Sequence, residues 1–304
     1  MGARLDLGTM NFGRRTPEPE ARRVLDLALE RGVTHLDTAN LYGDGESERI
    51  LGRALAGRRD RVRLTTKVGA WRQEGLSRAR VVASLDESLE RLRTDCVEVY
   101  LLHAPDPGTP LDETLDGVAE VLSSGKARAW GVSNHAAWQV LELDLRCDAR
   151  GLPRPAHSQV LYNLAVRQLE LEYLPFTRRF PVFTTVFNPL AGGLLAGEPG
   201  APRPGTARLE ANGLYRRRYG SPRLLELARS LREVAAAAGL SLAALAHAWL
   251  LGRPGVDAVL AGPATLAHLE AALEATSVVL APELLARLEE VHRAFTGTDA
   301  SYAR

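Results

Sequence analysis

The feature that most constrains this chain is an alternation. A short apolar, β-rich run is followed by an amphipathic helical stretch, eight times in succession. Strands are read at 5–8, 34–37, 62–67, 97–102, 127–132, 156–160, 182–187 and 257–260. The helices between and after them are read at 19–31, 46–55, 77–92, 111–122, 136–145, about 169–177, 224–238 with 242–251, and 265–275. The first helix shows the logic: Val24, Leu25, Ala28 and Leu29 recur at helical spacing, and Gly32 stops it. Ser77 is placed to cap the third. A loop rich in Gly, Pro and Arg is read at about 188–222, and an extra helix at 283–295.

Strands that alternate with helices imply a parallel sheet. Eight such units in 304 residues, about 38 residues each, fit a closed (β/α)8 TIM barrel with a long loop after strand 7 and an extra C-terminal helix. A doubly wound open sheet is the competing α/β architecture. The expected organisation is one barrel domain over residues 1–304.

Composition narrows the function classes. There are 38 Lys+Arg against 37 Asp+Glu, a formal charge of +1, so no positive excess points to nucleic acid. Hydrophobic residues are 45% of the chain, enough for a core. No run approaches the ~20 apolar residues of a membrane span, and the opening MGARLDLGTMNFGRR lacks the core of a signal peptide. The two cysteines, Cys96 and Cys147, form neither a disulfide framework nor a CxxC pair. A cytoplasmic protein acting on a small molecule is expected, with no metal and no membrane. GxGxxG, a Walker lysine, HExxH and GxSxG do not occur, which weighs against Rossmann, P-loop, zincin and α/β-hydrolase chemistry. Lysine occurs only at Lys67 and Lys126; every other basic residue is arginine. Codon bias accounts for most of that. A lysine that survives where any cation would serve is still informative, because a compact ammonium fits where a planar guanidinium does not.

In a barrel of this kind chemistry sits at the C-terminal ends of strands. Strand 2 ends in HLDTANLYG, with Asp37 and Tyr42. Strand 3 ends in LTTKV, with Lys67, and strand 4 in YLLHAPD, with His103. Strand 5 ends in GVSN, strand 6 in SQVLYN, and strand 7 in VFNPLAGGLLAG. One charged residue at a strand end is explained by a structural ion pair. An acid, a phenol, an ammonium and an imidazole on three adjacent strands are harder to explain that way.

DTANLYG, TTK, LLHAPD, GVSN and NPLAGG resemble the aldo-keto reductase superfamily. GTMNFGRR, VSNHAAW, QVLYNLAVRQLE, NPLAGGLLAG and the terminal SYAR resemble its aflatoxin-aldehyde (succinic-semialdehyde) reductase branch. The likeness runs from Gly8 to Arg304. It implies NADPH-dependent reduction of an aldehyde or ketone on a barrel that binds nicotinamide without a Rossmann fold, and it allows a homodimer. It implies Tyr42 as proton donor. Lys67 would lower the phenol's pKa, Asp37 would pair with Lys67, and His103 would orient the substrate oxygen.

The same resemblance implies the cofactor residues. Ser133, Asn134 and Gln159 would bond the carboxamide, Phe187 would stack on the ring, and Asp37, Thr9 and Met10 would be further cofactor contacts. Asn188, Pro189, Leu190, Gly192, Gly193, Leu194 and Gly197 would form a small-residue loop at the pyrophosphate. The helix opening at Gly262–Thr265 would receive the 2′-phosphate, with Thr265 as side-chain donor, and His268 would lie on the adenine side. Read only as structure, Gln159 is a buried amide, Phe187 a core side chain and Met10 a wall of the rim or of the core. Two departures touch NADPH preference: Glu198 stands where relatives carry lysine, with Arg203 nearby as a replacement cation, and His268 and Ala272 replace a Gln and an Asn. Tyr215, Arg218 and Arg304 are implied substrate residues, two arginines suiting an acidic group, with Trp71 as an apolar wall. The plain readings of RRR and Arg304 are a solvated loop and a frayed tail.

Two other functions stay open. A redox-sensing regulatory subunit would keep the barrel and the cofactor. A barrel aldolase or isomerase would use Lys67 as a Schiff-base nucleophile.

Overall fold

The computed structural model describes residues 2–70, 75–196 and 213–298. Eight parallel strands close into a barrel in chain order, with β1 paired to β8. They are β1 Arg4–Gly8, β2 His35–Asp37, β3 Arg63–Val68, β4 Val97–Leu102, β5 Ala127–Ser133, β6 His157–Leu161, β7 Phe183–Phe187 and β8 Ala258–Ala261. The helices are α1 Glu18–Glu30, α2 Glu46–Ala54, α3 Arg78–Leu92, α4 Leu111–Ser123, α5 Ala137–Arg150, α6 Tyr173–Arg179, α7 Gly213–Tyr219, α8 Pro222–Ala237, α9 Leu242–Leu251, α10 Leu266–Glu274 and α11 Pro282–Thr296.

The closed barrel, rather than the open sheet, is therefore the architecture. Successive residues of a strand face opposite sides, and the chain uses both. On β1, Leu5 and Leu7 are buried in the hydrophobic layer against the helices, while Asp6 sits on the other face with Arg4, bonded at 2.8 Å. On β4, Tyr100 turns outward and its hydroxyl donates to Val81 O on α3 at 2.9 Å. Between β5 and β6 the strands come very close at Gly131: a Cβ there would lie 2.1 Å from His157 O, so no larger residue fits. Outside the barrel, Glu48 of α2 is fully buried and held by Arg91 of α3 at 2.6 Å and by the Thr66 hydroxyl at 2.5 Å. Lys126, immediately before β5, pairs with Asp86 at 2.5 Å.

Two expectations need correction. The stretch read as one loop at 188–222 contains α7. The helix read as ending at residue 145 continues to Arg150, because buried Cys147 extends its inner face and Gly151, at φ +63°, supplies the left-handed stop. Among the described residues no single helix is long and apolar enough to cross a membrane.

Candidate active site

The barrel register brings the strand-end residues together. Asp37 pairs with Thr65, so Lys67 stands two residues further along on the same face; Lys67 pairs in turn with Leu101, two residues before His103. Tyr42 arrives from the loop after β2. Gly43, Asp44 and Gly45 all have positive φ there, a tight turn into α2 that glycine permits.

Lys67 is completely buried and its ammonium has three acceptors. It donates to Asp37 Oδ1 at 2.5 Å, to Thr38 O at 2.7 Å and to the Tyr42 hydroxyl at 3.4 Å. An ammonium has three N–H groups, so each is committed. Burial works against its charge, but Asp37 and Tyr42 more than compensate, and its pKa is raised. Thr38 was not legible as a site residue, since its contribution is a main-chain carbonyl.

The Tyr42 phenol departs from expectation. Burial pushes its pKa up; Lys67 pulls it down, Asp37 pushes it up, and the net direction is upward. Reading Lys67 alone omitted the burial and the carboxylate. The phenol is therefore protonated at neutral pH. The Tyr42 ring meets the His103 ring edge-on, with centroids 6.0 Å apart. Burial, with Lys67 adding to it, drives the His103 pKa down to about 3, so this imidazole is neutral.

Gln159 joins this cluster: its Nε2 donates to Asp37 Oδ2 at 2.8 Å, leaving its carbonyl to face elsewhere. Ser133 and Gln159 are register partners on β5 and β6. Asn134, at φ +60°, donates to His103 O at 2.9 Å and to Ser133 Oγ at 3.0 Å. Thr9 is fully buried, its hydroxyl bonded to Asp37 O at 2.9 Å, so it fixes the strand end from behind. The Ser47 hydroxyl, also buried, bonds Thr9 O at 2.9 Å and Thr38 Oγ1 at 3.0 Å. Met10 and Phe187 are half-buried, Met10 just beyond β1 and Phe187 at the end of β7.

The loop after β7 is a compact turn. Asn188, at φ +62°, accepts the Gly192 N–H on Oδ1 at 2.8 Å. The Gly193 and Leu194 amides bond back to Leu190 O at 2.8 Å and Ala191 O at 3.2 Å. These three amides, expected to face a pyrophosphate, are thus committed within the turn, which Pro189 enters. Gly192 fits only as glycine: at φ +67°, its Cβ would come 2.6 Å from the Tyr215 ring. Tyr215 and Arg218 are half-buried on α7. Trp71, Gly197, Glu198, Arg203 and Arg304 lie outside the described residues.

At the start of α10 the expected phosphate site meets a carboxylate. Glu20 of α1 accepts the Leu266 N–H at 2.9 Å, and the Thr265 hydroxyl caps the His268 N–H at 3.4 Å. Asn11 bonds Gly262 O at 2.9 Å and Thr16 bonds Ala264 O at 2.9 Å, stitching the loops after β1 and β8 together. Neither was anticipated, because polar side chains that hold distant backbone have no local sequence signature.

A parallel eight-stranded barrel with a buried Asp–Lys pair, a phenol and a neutral imidazole at its C-terminal rim defines a barrel enzyme with acid–base machinery. The profile of the aldo/keto reductase family matches residues 4–293, and the chain belongs to that family, which makes it an oxidoreductase of the carbonyl-reducing, nicotinamide-using kind. Human aflatoxin B1 aldehyde reductase member 2 is 38% identical over 290 residues, covering 89% of this chain and 80% of that protein. Human aldo-keto reductase family 7 member A3 is 36% identical over 289 residues, 88% and 87% of the two chains. A probable voltage-gated potassium channel subunit beta of Arabidopsis thaliana is 32% identical over 296 residues, 93% and 90%.

Proposed function

We propose that this chain reduces an aldehyde or ketone to the alcohol with NADPH, and that Tyr42 delivers the proton. The observation that carries the reading is the buried Lys67 ammonium, bonded at once to Asp37 and to the Tyr42 hydroxyl. When bound, the nicotinamide supplies hydride to the carbonyl carbon. The chain's part is to hold the carbonyl oxygen and protonate it. Tyr42 is a protonated donor, and Lys67 stabilises the phenolate left when that proton departs. Asp37 keeps the ammonium charged and aimed. The neutral His103 orients the same oxygen without competing as an acid.

The nicotinamide end fits the donor set. Gln159 keeps a free carbonyl, and the paired Ser133–Asn134 side chains sit at the neighbouring strand end. The loop 188–194 offers a turn without bulky side chains at Gly192 and Gly193. The 2′-phosphate end fits less well, because Glu20 already occupies the Leu266 amide. The substrate is an aldehyde bearing an acidic group, read by Arg218 with Arg304. The plant channel-subunit relative supports a second reading, a cofactor-sensing regulatory subunit; the complete rim set favours turnover.

Tyr42→Phe tests the main reading. It should leave NADPH binding intact and cut kcat by roughly 10²–10⁴-fold, the usual worth of a general acid. A kcat within a few-fold of the parent's would remove Tyr42 from the role. A parent that binds NADPH but oxidises none of it with any aldehyde would favour the regulatory reading.

A further inference from the structure

We propose that the Tyr219 hydroxyl is a positioning group that ties the loop after β7 to helix α7, which carries Arg218, so that one buried phenol sets both the cofactor side and the substrate side of the site. This rests on the assignments just proposed for that loop and for Arg218.

Tyr219 is the last residue of α7 and is fully buried. Its hydroxyl accepts from Asn188 Nδ2 at 2.7 Å, and Asn163 Nδ2 approaches it at 3.5 Å. Arg218, half-buried, immediately precedes Tyr219 on the same helix, so whatever fixes the end of α7 fixes Arg218 with it. Asn188 needs such support. It stands at φ +62°, a backbone region that asparagine tolerates when its side chain is bonded locally. Its amide is fixed at both ends: Nδ2 faces Tyr219, and Oδ1 takes the Gly192 N–H. Its main-chain carbonyl accepts Asn163 Nδ2 at 3.0 Å. If the phenol oxygen goes, the amide has no reason to keep that orientation, and the Gly192 N–H loses its acceptor.

The helix follows the loop for a second reason. The Tyr215 ring lies on the Gly192 backbone, and it stacks on Tyr219 with centroids 6.1 Å apart at 15°. Loop and helix are thus one unit, with the Tyr219 hydroxyl as their shared polar contact. Burial holds that phenol at a pKa of about 12, so it keeps its proton across the working range and adds no limb to a pH profile.

The test is Tyr219→Phe in the full chain, which removes one oxygen and keeps the ring. NADPH dissociation constants come from fluorescence titration, thermal melts from circular dichroism, and kinetics from succinic semialdehyde and from 4-nitrobenzaldehyde. We expect a melt close to the parent's and NADPH bound about tenfold more weakly, the scale for leaving a buried polar group unpaired. KM for the acidic aldehyde should rise about tenfold more than KM for the neutral one. With saturating NADPH, kcat on the neutral aldehyde should stay within threefold. Arg218→Leu should remove the same substrate discrimination, and in that discrimination the double variant should be no worse than Arg218→Leu alone, because Tyr219 acts on the acidic group through the placing of Arg218. Unchanged NADPH binding and an unchanged KM ratio in a folded variant would overturn the proposal. So would equal losses on both aldehydes with a greatly lowered melt, which would make Tyr219 scaffold alone. Those outcomes presuppose an active parent, so they are distinct from failure of the function reading, in which the parent itself is inactive.

Discussion

Lys67→Arg keeps the charge and changes its shape. The ammonium is fully buried, with acceptors at 2.5, 2.7 and 3.4 Å around one nitrogen. A guanidinium spreads its donors over a planar fork and cannot place three of them on acceptors grouped around a point. Its extra bulk has no solvent-facing exit, so it must displace Tyr42 or Asp37. Overpacking of a filled interior costs about 1–3 kcal/mol of stability. The larger loss should be kinetic. With the cation displaced, the phenolate formed on proton transfer is unsupported, and kcat should fall by roughly 10²-fold or more. The assay is steady-state kcat on the best aldehyde at saturating NADPH, beside a urea unfolding curve and a cofactor titration. The expected pattern is a folded variant that binds cofactor and turns over slowly. A folded Lys67→Arg enzyme with kcat within threefold of the parent would show that charge alone suffices, and the shape argument would fail.

Three further outcomes are expected. Asp6, buried on β1, has its pKa raised to about 6 by burial, against the pull of Arg4. The folded chain therefore holds a proton that the unfolded chain has released, and stability should fall as pH rises from about 4 to about 6, then level off. Asp6→Asn should flatten that slope by about 2–3 kcal/mol between pH 4 and 7 in urea unfolding, and an unchanged slope would refute the assignment. Arg91→Ala strands the buried Glu48 carboxylate and should cost about 3–5 kcal/mol in the same assay with little change in kcat; a loss below 1 kcal/mol would show that the pair is well hydrated. Glu20→Gln removes a negative charge from the start of α10, so the ratio of NADPH to NADH affinity should rise several-fold in paired titrations; a constant ratio would place the 2′-phosphate elsewhere.

Much of the fold was legible because eight amphipathic units each carry their own periodicity, and element ends shifted mostly by a residue or two. Helix α7 was not legible. GLYRRRY has no continuous apolar face, and the segment is held by Tyr215 on Gly192 and Tyr219 on Asn188, contacts made across more than twenty residues. The grouping of Asp37, Lys67, Tyr42 and His103 followed from motif and strand order. The direction of the Tyr42 pKa did not, because it depends on how deeply the ring is enclosed. Gln159 was expected to face a cofactor amide; that its Nε2 also holds Asp37, a partner 122 residues away in sequence, was not legible.

The pairing of Lys126 with Asp86 has a practical side. Lys67 is sealed inside the barrel, so Lys126, with its side chain 39% exposed, is the one lysine that an acylating reagent can reach. An α-amino group has a lower pKa than a lysine and would react first near neutral pH, so it is blocked by acetylation beforehand. Lys126 precedes β5, at the end of the barrel opposite the rim where the strands finish. A protein tethered to a solid support through that single amine would present its mouth to solution. A fluorophore placed there would report tumbling of the whole barrel from a point remote from the chemistry.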